Sequence, residues 1–170
     1  MKTMKSGLLS GIVFLVALTP FIFTSCEKEN VDLRDEIIGQ YSYTVKIYDL
    51  IDGELVYLGG QGDNYDISGT MRVLKNADPD VLDFWDGNVL MFHGIDFEDT
   101  GNAIVFDIPE QEAWVGPVNV QIAGYDYWEV GNSYRHGAFL YDDSSVEIGF
   151  SARIMDVDSG LVMVLLAFRD

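Results

Sequence analysis

From Ile37 onward, apolar side chains recur at every second residue, and that period excludes most folds before any motif is considered. In 41–47 the odd positions are Tyr41, Tyr43, Val45 and Ile47, and the even ones are Ser42, Thr44 and Lys46. Successive side chains of a strand point to opposite faces, so this pattern buries one face and wets the other. The alternation returns at Val118, Val120 and Ile122. It returns again in 145–154, where Val146, Ile148, Phe150, Ala152 and Ile154 interleave with Ser145, Glu147, Gly149, Ser151 and Arg153. Further strands are predicted over 55–58, 65–73, 89–97, 103–108, 136–141 and 161–168. Asp52-Gly53 is a two-residue hairpin turn, and Asp99-Thr100-Gly101-Asn102 is a second turn. The segments 76–87 and 125–135 read as loops, and 110–113 as at most one helical turn. About nine short strands on short connections specify an all-β domain. A single antiparallel meander barrel of about 8–9 strands removes exposed edges and is the preferred architecture, with a β-sandwich as runner-up.

Upstream of the alternation, Lys2 and Lys5 precede an apolar run over 8–23 that is broken by Pro20 and followed by Thr24, Ser25 and Cys26. A basic start, a short apolar core and small residues at the exit are the parts of a secretory signal peptide. The run is shorter than the roughly 20 residues of a spanning helix. A cysteine at the cleavage position resembles the lipobox of bacterial lipoproteins. The resemblance implies cleavage before Cys26, lipidation of its thiol and a mature protein held on a membrane by that lipid; the alternative is an ordinary signal peptide with a coincidental cysteine. The chain then divides into a signal peptide over 1–25, a flexible polar tether over 26–36 and a β-domain over 37–170. The tract Glu27-Lys28-Glu29 resembles the charged segments of Gram-negative surface lipoproteins, which implies an outer-membrane location with the membrane face left open.

Cys26 is the only cysteine, so neither a disulfide framework nor a thiolate metal cluster is available. The leader holds two of the ten Lys and Arg and none of the 28 Asp and Glu, leaving eight cations against 28 anions from residue 26 on. Nucleic acid is excluded as a partner, because phosphate binding depends on Lys and Arg. Anionic lipid is repelled for the same reason, so membrane attachment falls to Cys26 alone.

The strand layout, together with Gly39-Gln40-Tyr41 at the first strand, resembles the lipocalin-like (calycin-like) β-barrels. In that family a Gly-x-aromatic signature opens the first strand, usually with Trp where this chain has Tyr41. The resemblance implies an arginine from a late strand beside the aromatic ring, for which Arg169 is the first candidate and Arg153 the second.

No catalytic residue is assigned. His93 and His136 are the only histidines, and a lone histidine in a strand is more often a packed, hydrogen-bonded residue than a base. The chain has no Gly-x-Ser-x-Gly elbow, no His-Glu-x-x-His helix and no phosphate-binding glycine loop. Asp96, Glu98, Thr100, Gly101 and Asp107 mimic a calcium-loop spacing but read as an acidic hairpin turn. Asp78, Asp80, Asp83 and Asp86 read as a solvated loop. No cofactor and no metal is expected.

The aromatics of the two loops are the functional lead. Trp85 stands in the first, and Tyr125, Tyr127, Trp128 and Tyr134 in the second, with Asp126, Asn132 and Arg135 beside them as hydrogen-bonding groups; Trp114 lies near a third turn. Such rings stack on apolar faces of ligands, sugars included, or else they cap the scaffold and bury their own surface. One expectation is therefore a non-catalytic binding module for a small apolar or carbohydrate ligand at a barrel mouth formed by 76–87 and 125–135. The alternative is an accessory subunit of an envelope complex with no small-molecule site, and a hydrolase built on a carboxylate pair ranks third. The interior discriminates between them. A lumen filled by Tyr43, Val45, Ile67, Met71, Ile148 and Phe150 leaves no room for a ligand.

Overall fold

A computed structural model of the chain describes residues 32–59, 66–115, 118–154 and 160–170. The expected signal peptide, Cys26 and the expected tether up to residue 31 lie outside the described residues. So do the loop at 60–65 and most of the turn before the last strand.

The chain enters through one helical turn, α1 (Arg34–Ile37), so the last residues of the expected tether are structured. β1 (Gly39–Ile51), β2 (Glu54–Tyr57), β3 (Ile67–Lys75), β4 (Val81–Asp86) and β5 (Val89–Asp99) follow. Then come β6 (Ala103–Asp107), β7 (Gln111–Val115), β8 (Val118–Gly124), β9 (Trp128–Val130) and β10 (Ser133–Arg135). The described chain ends with β11 (Gly137–Leu140), β12 (Ser145–Ile154) and β13 (Gly160–Arg169). Eight of these strands close a ring in the order β11-β6-β5-β4-β3-β1-β13-β12, with β12 returning to β11 and every pairing antiparallel. The barrel is confirmed over the sandwich.

Four segments depart from the sequence reading, each for a physical reason. The expected loop 76–87 contains β4, whose alternation is hidden by a register shift between Leu82 and Phe84. Leu82 and Phe84 point inward and are fully buried. Asp83 between them accepts both Asn76 Nδ2 and the Gly94 amide, so its carboxylate is satisfied within the strand. The expected helical turn at 110–113 is part of β7, where Gln111 and Ala113 are buried and Glu112 is exposed. The expected loop 125–135 contains the small hairpin β9–β10. The polar segment before residue 37 is the fourth, folded as α1 because Ile37 has a site in the core.

β12 changes partner along its length. Ser145–Ile148 pair with β11, whereas Phe150–Ile154 pair with β8, which in turn carries β7. Gln111 of β7 ties that strand to β5. Gln111 accepts from the His93 amide at 2.8 Å through Oε1 and donates to the His93 carbonyl at 3.0 Å through Nε2. An amide side chain has one donor face and one acceptor face, so it stands in for a missing ladder rung.

The interior is packed with side chains. Tyr43, Val45, Met71, Ile148 and Phe150 are buried, and Ile67 packs partly buried against them. Phe84, Phe92, Phe106 and Phe150 form a chain of edge-to-face contacts with centroids 5.1 to 6.1 Å apart, the geometry the ring quadrupole favours. The Tyr43 ring crosses Gly69, where a Cβ would lie 2.8 Å from the phenol oxygen, so only glycine admits the ring.

One end of the barrel is plugged. Ile37 of α1 is fully buried, and the Tyr41 phenol donates to the Ile37 carbonyl at 2.5 Å. The Arg169 guanidinium lies 5.5 Å from the Tyr41 ring centre, donates to the Tyr41 hydroxyl, and also bonds the Glu36 carbonyl. The expected aromatic–arginine contact is present, with Arg169 in the role.

Candidate functional site

The aromatic hairpin is built from a shared register. Trp128 pairs with Arg135, Glu129 with Tyr134, and Val130 with Ser133, around a turn with Gly131 at φ 63°. Positive φ is the conformation glycine adopts without steric cost. Residues paired across a hairpin share a face, so Trp128, Val130 and Arg135 point one way and Glu129 and Tyr134 the other. The first face settles on the barrel wall. Trp128 and Val130 pack against a second apolar cluster made by Ala103, Val105 and Ala138, with Leu140 beside them. These residues occupy the outer face of β6 and β11. The small alanines leave the depth that an indole ring fills.

The expected site residues therefore part company. Trp128 and Arg135 face the outer wall of the barrel, Tyr125 and Tyr127 lie beside Gly149 of β12, and Tyr134 points away on the other face of the hairpin. Trp85 does not join them. It lies on β4 in register with Arg72 and Leu90, separated by β5 from the strands that carry the hairpin. The segments 76–87 and 125–135 do not form a common mouth, because one is a wall strand and the other an external clasp. Trp114 belongs to β7.

Arg135 reaches inward from the hairpin to Glu98 at 3.4 Å and Asp107 at 3.7 Å. Next to it, His136 accepts the Ile108 amide through Nδ1 at 2.9 Å. That bond places the proton of the neutral ring on Nε2, which faces Asp126 Oδ1 at 3.7 Å. Gly124 lies directly under the imidazole, where any Cβ would clash. This cluster fixes the hairpin to β6. Of its members, Asp107 was not marked in the sequence as a partner of His136, since no local pattern joins residues across that chain distance. His93 is exposed on β5 and, among the described residues, is held through its backbone.

Two rings on the outer side remain accessible. Tyr134 is 55% exposed and Tyr127 36% exposed. Tyr127 lies across Gly149 of β12, where an added Cβ would come 2.5 Å from its own Cβ. Burial first, then the charge of Glu147 and the nearby Tyr48, push the Tyr127 phenol above its usual value.

The acidic clusters are structural where the chain is described. Asp99 accepts the Gly101 amide in the β5–β6 turn, which is the acidic hairpin turn expected there. Asp86 accepts the Tyr43 hydroxyl at 2.8 Å, and Asp78 accepts the Asp80 amide. Among the described residues no group of three or more His, Cys, Asp or Glu is arranged to hold a metal ion, and no helix is long and apolar enough to cross a membrane. No protein-family model, no curated protein and no solved structure matches the chain.

Proposed function

We propose that the protein is a lipid-anchored component of a bacterial cell envelope that works without catalysis, by binding a protein partner on the outside of a lipocalin-like barrel. The observation that carries this reading is the filled interior. The residues expected to decide the matter, Tyr43, Val45, Met71, Ile148 and Phe150, occupy the lumen, and a packed lumen favours the accessory-subunit reading over a ligand held inside. The lipocalin-like assignment is supported by the Gly39-x-Tyr41 signature and its contact with Arg169. Attachment rests on Cys26. After signal cleavage, the Cys26→Ser protein is expected in the soluble fraction and the wild type with membranes; a variant that stays with membranes overturns the anchor.

A second reading is favoured by the exposed rings of Tyr127 and Tyr134, which offer stacking surface to a sugar. Tryptophan fluorescence titrated with soluble glycans tests it through Trp128 at the base of the hairpin. A response in the wild type that is lost in Tyr134→Ala supports it, and no response in the wild type removes it.

A further inference from the structure

The outer face of β13 is apolar where a wetted sheet face is ordinarily polar. Leu161, Met163, Leu165 and Ala167 point into the barrel, so Val162, Val164, Leu166 and Phe168 form a row on the outside. The upper half of the row is covered. Tyr127 lies over Gly149, the register partner of Val164, and Tyr48, the partner of Val162, packs against Tyr57 with ring centres 5.5 Å apart. Val164 is accordingly only 2% exposed. Below that cover the row opens, with Leu166 partly buried and Phe168 57% exposed. Its flanks are low, since Ser42 and Thr44 stand beside it on β1 and Ser145 on β12.

Two carboxylates stand on this face, and Asp170 at its foot is already held by Ser42 Oγ at 2.6 Å and Gln40 Nε2 at 2.9 Å. Glu147 is the register partner of Leu166 and is partly buried beside it. It has no cationic or hydrogen-bonding partner among the described residues. A carboxylate held against apolar surface without a counter-charge is costly in the free protein, and an incoming cation relieves that cost.

We propose that this face, formed by β12, β13 and β1, docks a segment of a partner protein that presents a Lys or Arg between apolar residues. Glu147 takes the cation, and Leu166 and Phe168 take the apolar side chains. A second copy of the chain is the poorer occupant, because eight cations against 28 anions from residue 26 on make like molecules repel. This inference rests on the reading that the barrel binds on its outside.

The test uses the mature chain carrying Cys26→Ser, followed by backbone-amide NMR. The probes are two acetylated, amidated octapeptides, alternating Leu-Lys and alternating Leu-Glu. The Leu-Lys peptide is expected to shift the amides of Glu147, Gly149, Leu166 and Phe168, and the Leu-Glu peptide to leave them unmoved. Glu147→Gln and Phe168→Ser should each weaken the Leu-Lys peptide at least fivefold, whereas Asp80→Asn, an equal charge loss in the β3–β4 loop, should not. Equal weakening by Asp80→Asn, or unchanged affinity in Glu147→Gln, overturns the proposal. So does self-association that Phe168→Ser abolishes. Shifts confined to another part of the outer wall overturn this surface but leave the external reading standing; shifts confined to the buried interior overturn both.

Discussion

Glu147 sits in a place that favours its neutral form. Burial, and then the charge of Asp143, raise its carboxyl above the usual value in the folded protein. With the folded value above the unfolded one, the neutral acid contributes its full stability below the unfolded pKa of about 4.3, and that contribution is lost as pH rises through the folded value. At neutral pH the charge therefore acts against the fold. Glu147→Gln is expected to raise the urea midpoint at pH 7, and the gain should vanish as pH falls below the unfolded value of about 4.3. Tyr141 supplies the alkaline counterpart. Burial first, and then its hydrogen bond to Asp99, push the phenol up to about 12. Its contribution is whole below the unfolded value of about 10 and is lost as pH rises through the folded one. Tyr141→Phe should flatten the fall in stability between these two values. At this scale the sequence was uneven. Tyr41 and Arg169 were paired through a family resemblance, since no local pattern joins residues so far apart. Glu147 read as one more polar residue on a strand's wet face, because its apolar neighbour Leu166 belongs to another strand.

The hairpin β9–β10 illustrates how an element can be visible in composition and hidden in placement. Its rings marked 125–135 as unusual, yet their anchoring surface is assembled from Ala103, Val105 and Ala138, residues that look unremarkable along the chain. Trp128→Ala removes the anchor and should cost about 2 kcal/mol for a half-buried indole. Because the barrel core does not pass through this cluster, the loss should be local. Limited proteolysis is expected to cut first near Gly131, while the near-ultraviolet signal of the remaining aromatics persists. Uniform loss of protection across the barrel would show that the clasp supports the ring itself. β4 and β7 escaped detection for different reasons. In β4 the bulge at Asp83 breaks the period of two, and in β7 a buried glutamine occupies a core position.

At the scale of the whole molecule, the alternation from Ile37 onward was enough for the all-β class, because a buried face at every second residue suits no helix. It was also enough for closure, since so many strands leave edges that only a ring removes. What it left out was the branching. A strand that serves β11 along one half and β8 along the other has the same period throughout, so nothing in β12 announces the exchange. That branching gives the wall a seam between β5 and β7, where the Gln111 side chain stands in for a ladder rung. Strand pairs held by backbone rungs open together, whereas a rung supplied by a side chain is released by a rotamer change of that side chain. The amide protons of His93 and of β7 should therefore exchange with deuterium before those of β6 or β11, and Gln111→Ala should speed them further without changing exchange at Tyr43 or Leu165. If so, the barrel breathes sideways, and water reaches its aromatic interior through the wall before it enters past the plugged end.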